Sequence, residues 1–83
     1  MRITVRTAGL LGKYLPEGSE RNRAALEVAD GASPLDVMAQ LGVPLEGRYL
    51  ISVNGTALPP AKRPGHSLAE GDTLAIMPPL SGG

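Results

Sequence analysis

The residues best suited to chemistry stand together at one end of the chain, in the run Met77-Pro78-Pro79-Leu80-Ser81-Gly82-Gly83. Two glycines without side chains let another protein approach the backbone closely. A carboxylate on Gly83 is sterically open to attack ATP in a partner's active site. The two prolines cannot extend a sheet ladder, so they stiffen the exit from the preceding strand. A frayed chain end is the bland alternative, and it is the ordinary fate of terminal glycines. The preference for a working tail therefore depends on what precedes it.

Other chemical groups are sparse. The chain of 83 residues has no cysteine, which excludes disulfides, zinc–thiolate sites and thiol redox chemistry. Sulfur carried by this chain could not sit on a side-chain thiol. Gly9-x-x-Gly12-Lys13 lacks the Walker spacing and reads as a plain loop. His66 is the single histidine and has no second ligand near it in sequence, so it reads as a surface residue. Asp30, Asp36, Glu70 and Asp72 read as turn and cap residues. No metal site and no Ser-His-Asp or paired-carboxylate constellation emerges. Net charge is zero and the basic residues form no run, which disfavours nucleic acid as a partner. No stretch approaches the ~18 apolar residues of a membrane span. Arg2 and Arg6 break any leader-like run, so the expected location is cytoplasmic.

The elements that must hold the tail follow from periodicity. Residues 2–7 alternate as a half-buried strand with Ile3 and Val5 inward. Residues 8–21 form a long turn punctuated by Gly9, Gly12, Pro16 and Gly18, with a short helical piece near 11–15. Residues 23–29 make a second strand with Leu26 and Val28 inward. Ser33-Pro34-Leu35-Asp36 combines an N-cap, a first-position proline and an S-x-x-D box. It opens a helix over 33–41 that presents Leu35, Met38 and Leu41, with Val37 at the margin and Gly42 as the stop.

Residues 49–53 form a third strand, with Ile51 and Val53 inward. Asn54-Gly55 turns it into a brief strand at 56–58. Leu68 plugs the core before Glu70-Gly71-Asp72, and the last strand spans 73–77 with Leu74 and Ile76 inward. One helix covers only one face of such a sheet. Arg2, Thr4, Arg6, Leu50, Ser52, Ala75 and Met77 then point to the open face. Leu50, Ala75 and Met77 give it an apolar centre suited to docking. The fold class is α+β. With the first and last strands paired in parallel at the centre, the four- to five-stranded mixed sheet and its one main helix make a ubiquitin-like β-grasp domain over 1–78, followed by a flexible tail at 79–83.

The last fourteen residues, Glu70-Gly71-Asp72-Thr73-Leu74-Ala75-Ile76-Met77-Pro78-Pro79-Leu80-Ser81-Gly82-Gly83, resemble the C-terminal signature of the MoaD/ThiS sulfur carriers. Val53-Asn54-Gly55 and the Ser-Pro-x-x-Val-x-x-x-Leu-Gly run at 33–42 are similar to the same family. The Pro-Pro-x-x-Gly-Gly tail is nearer to the molybdopterin synthase small subunit than to the thiamine-pathway carrier, although Ile76 and Met77 stand where that subunit usually has aromatics.

The resemblance implies adenylation of Gly83 and its conversion to a thiocarboxylate for cofactor biosynthesis. Molybdopterin is the first expectation; thiamine or another sulfur pathway remains open. It further implies a protein cosubstrate rather than an enzyme. Gly82 and Ser81 would give access, and Pro79 and Leu80 would position the tail. No cofactor is held by the chain itself. ATP and Mg²⁺ serve an adenylating partner of the MoeB/ThiF type, a rhodanese or cysteine desulfurase supplies sulfur, and a synthase accepts it. Two alternatives stay open: a ubiquitin-like modifier joined to lysines through Gly83, and a non-catalytic β-grasp interaction domain.

Overall fold

The computed structural model describes residues 1–16, 22–44 and 49–78. Strands β1 (Arg2–Thr7) and β2 (Arg23–Glu27) are followed by helix α1 (Pro34–Leu41). Then come β3 (Leu50–Val53), β4 (Thr56–Ala57) and β5 (Thr73–Met77). Short 3-10 turns occupy Gly9–Tyr14 and Pro60–Lys62. The five strands form one sheet in the order β2-β1-β5-β3-β4. The outer neighbours pair antiparallel, while β1 and β5 run parallel at the centre, with Val5 opposite Leu74 and Thr7 opposite Ile76. A parallel pair needs a crossover connection, and the whole intervening chain supplies it. This is the β-grasp arrangement expected from the sequence.

Helix α1 forms where its caps dictate. Ser33 Oγ accepts from the Asp36 amide at 3.2 Å, and the Asp36 carboxylate accepts from the Ser33 amide at 3.0 Å. The helix stops at Gly42, whose φ of 83° is a left-handed conformation that glycine adopts without a Cβ clash. The Val43 amide then reaches Met38 O at 2.9 Å, and the Gly42 amide reaches Ala39 O at 3.2 Å, which together make a Schellman closure.

The core lies between α1 and one face of the sheet. Ile3, Val5, Ile51, Val53, Leu74 and Ile76 face Val37 and Met38, and Val28 and Leu68 join them as expected. Leu11, Ala32 and Val43 complete the layer. Val37, expected at the margin, is fully buried, whereas Leu35, Leu41 and Leu26 are half-buried. The inward stripe of a helix starting at Pro34 is 34, 37, 38 and 41, spaced i, i+3, i+4, i+7. Leu35 falls about 100° off its starting residue, and Leu41 sits in the last turn where coverage ends. Leu26 belongs to β2, an edge strand of the sheet. β2 also ends at Glu27 rather than residue 29, although the Val28 amide still donates to Met1 O at 2.8 Å.

Candidate functional site: the open sheet face at the end of β5

Both turn motifs of the family-like segment converge on the entry to β5. Asn54 and Gly55 have φ of 52° and 85°, the paired positive values of a tight hairpin. The Asn54 side chain does more than turn the chain. Its Nδ2 donates to Asp72 Oδ1 at 2.9 Å, and its Oδ1 accepts from the Thr73 amide at 2.9 Å. The Ala69 amide donates to Asp72 Oδ2 at 2.8 Å. These donors, Ala69 first and then Asn54, hold the Asp72 carboxyl below the usual carboxylate range. On the other side, the Thr4 amide donates to Asp72 O at 2.9 Å and the Gly71 amide to Arg2 O at 2.9 Å. The start of β5 is thus tied to β1 and to the β3–β4 turn, which fixes the register of the last strand among the described residues.

At its far end β5 leaves the sheet beside Leu50. Met77 and Leu50 are direct cross-strand partners, as are Ala75 and Ser52. Leu50 is 48% exposed, the one large hydrophobic residue so exposed among the described residues, and Ala75 and Met77 are half-buried. Leu50, Ala75 and Met77 therefore share the open face beside the end of β5. Arg2 and Arg6 are exposed on the same sheet, while Thr4 and Ser52 are half-buried. Pro79, Leu80, Ser81, Gly82 and Gly83 lie outside the described residues, as does the part of the first loop at 17–21.

The patch extends further than alternation predicts. A groove of about 370 Å³ is lined by Leu50, Ser52, Leu58, Pro59, Arg63 and Met77, among others. The sequence marks 57–60 only as a short strand and a loop. The Leu58 amide bonds to Ile51 O at 2.8 Å, and Arg63 Nε donates to Leu58 O at 3.0 Å. These bonds fold the loop against the edge of β3. The apolar run Ala57-Leu58-Pro59-Pro60 directly after a hairpin turn was the available signal.

His66 lines a separate hollow of about 410 Å³ with Asn54, Ser67 and Asp72. Among the described residues no group of three or more His, Cys, Asp or Glu is placed to hold a metal ion. No helix among them is long and apolar enough to cross a membrane.

Among the described residues, a mixed sheet with parallel central strands and one helix across one face, with an apolar patch beside the end of β5, defines a ubiquitin-like β-grasp protein. More narrowly, the chain belongs to the ThiS family, whose model matches residues 15–83. No curated protein matches it in sequence. Its fold is similar to SAMP1, the small archaeal modifier protein 1 of Haloferax volcanii, with 22% identity over 100% of each chain and a TM-score of 0.71. It is similar to the HVO 2177 protein of the same organism, with 20% identity over 100% of this chain and 87% of that one and a TM-score of 0.78. The complex of subunits 1 and 2 of molybdopterin-converting factor from Helicobacter pylori also contains this fold, with 19% identity over 100% of each chain and a TM-score of 0.62.

Proposed function

We propose that this chain is a sulfur carrier whose working group is the carboxyl of Gly83. The ThiS family match carries this reading, because it runs through the Gly-Gly end rather than stopping with the fold. A carboxylate is a poor electrophile, since its leaving group would be oxide. In an adenylating partner of the MoeB/ThiF type, supplied with ATP and Mg²⁺, a Gly83 oxygen attacks the α-phosphorus and pyrophosphate leaves. Sulfide then attacks the acyl carbon and AMP leaves, so one carboxylate oxygen is replaced by sulfur. A persulfide from a rhodanese or cysteine desulfurase does the same through an acyl disulfide, which a thiol cleaves to the thiocarboxylate. With no cysteine in the sequence, the terminal carbonyl is the natural attachment point.

Pro79 and Leu80 direct the tail, and Ser81 and Gly82 let it enter a narrow channel. Leu50, Ala75 and Met77 dock the partner beside it. An accepting synthase takes the sulfur; the Pro-Pro-x-x-Gly-Gly tail favours molybdopterin-type over thiamine-type biosynthesis. Such a chain is a cosubstrate rather than an enzyme, and it works in the cytoplasm with ATP and the sulfur donors.

The likeness of fold to SAMP1 supports a second use of the same activated end, attachment to a lysine amine through an isopeptide bond. Exchange of labelled pyrophosphate into ATP by the cognate adenylating enzyme tests the shared first step. Exchange that depends on this chain and disappears when Gly83 is deleted supports it; exchange independent of the chain removes it. Thiocarboxylate or isopeptide products in cells then separate the two uses.

A further inference from the structure

The register of the sheet sets two arginines against each other. Arg6 of β1 lies directly opposite Arg23 of β2, and both are exposed. Like charges directly opposite in an antiparallel pair are destabilising. At the other end of the same two strands the arrangement is the usual one: Arg2 faces Glu27, with Arg2 Nε 3.0 Å from Oε1. Among the described residues neither Arg6 nor Arg23 makes an ion pair, so within them this part of the face carries two facing positive charges with no carboxylate beside them, although the chain as a whole is neutral.

Arg6 is also opposite Ala75 of β5, and Ala75 is opposite Ser52 of β3. One row therefore runs Arg23, Arg6, Ala75, Ser52, from two guanidinium groups to two small side chains. Leu50 and Met77 form the next paired row on β3 and β5, nearer the tail. At the usual strand spacing, Arg6 is about 10 Å from β3, within the width of one docked helix or strand. The small residues form a low floor between a basic wall and an apolar wall.

We propose that Arg6 and Arg23 bind carboxylates of the protein partner that docks on Leu50 and Met77. Guanidinium groups receive carboxylates through paired charge-assisted hydrogen bonds. A free anion would leave the apolar wall uncovered, whereas an acidic segment carrying an apolar side chain covers both walls. The identity of that partner as the adenylating enzyme rests on the proposed function; the chemistry of the surface does not.

Two measurements on the full chain test the pair. In the first, the ¹⁵N-labelled protein is titrated with a synthetic peptide containing two glutamates and two leucines. Amide shifts at Arg6, Arg23, Ala75 and Met77 are expected; they weaken with added salt and vanish in an Arg6→Gln/Arg23→Gln variant. That variant should keep or raise the Tm, since removing facing like charges costs the fold nothing. Absence of shifts at these positions, equal binding of inorganic phosphate, or a clear fall in Tm would overturn the proposal.

In the second, Arg6→Glu/Arg23→Glu should raise the Kd for the cognate adenylating enzyme about tenfold or more, chiefly through slower association at low salt. An unchanged Kd, with wild-type protein still adenylated, overturns the carboxylate-binding pair and leaves the carrier reading intact. If wild-type protein is not adenylated, the carrier reading fails and the peptide titration alone decides the surface.

Discussion

Asn54 is the residue on which most of the local order converges. It turns the β3–β4 hairpin and also bonds both Asp72 and the first amide of β5. Asn54→Gly keeps the positive φ but deletes the side-chain bonds, and should cost about 1–2 kcal/mol in urea denaturation. Asp72 makes this knot pH-dependent. Its folded-state pKa is lowered, chiefly by the Ala69 amide. The stability it contributes is therefore present above its unfolded pKa and is lost as pH falls through the lower folded value. Acid titration of wild type and Asp72→Asn should show their stability difference shrinking below about pH 4; a difference that grows in acid would contradict it. Thr7 offers an opposite case: it is buried, and its hydroxyl has no hydrogen-bond partner among the described residues. Thr7→Val should leave stability unchanged or raise it by about 1 kcal/mol. The sequence shows Asn54-Gly55 and Glu70-Gly71-Asp72 as two separate turns. Their junction is invisible there, because it depends on β3 lying against β5 rather than on spacing along the chain.

Among the elements, α1 is the most legible. Ser33, Pro34, Asp36 and Gly42 mark both ends by capping chemistry alone, and the observed bonds are the expected ones. Ser33→Ala should cost about 1 kcal/mol, and Met38→Ala about 2–5 kcal/mol through the cavity left under the helix; thermal or urea unfolding checks both. The inward stripe is less legible. With eight residues, leucine positions and true face differ by less than a turn, and small aliphatics such as Val37 look marginal until the sheet is placed beneath them. β5 is legible to its boundaries because Thr-Leu-Ala-Ile-Met alternates cleanly between two breakers. The loop after β4 is not, since proline and glycine there announce irregular chain without saying which surface it covers. That surface proved to be the wall of the apolar groove at Leu50 and Met77.

For the whole molecule, the parallel pairing of β1 with β5 at the sheet centre decides the rest. It places the last strand where its start is tied by backbone bonds and its end opens beside an apolar patch. From the sequence, this pairing is an inference from topology, since periodicity carries no information about neighbours. Leu50→Glu and Met77→Glu should leave the fold intact, because both side chains lie on the open face, while weakening binding to the adenylating enzyme in calorimetry. Unchanged affinity in folded variants would remove the docking role. The central claim is that the domain presents Gly83 for sulfur transfer. Intact-mass measurement, after incubation with the cognate adenylating enzyme, ATP and a sulfur donor, tests it most directly. A sulfur carrier gains about 16 Da, the difference between sulfur and oxygen, and loses that gain when Gly83 is deleted or followed by an added alanine. The same gain in the Gly83-deleted protein would mean that sulfur sits elsewhere, and would contradict the carrier reading.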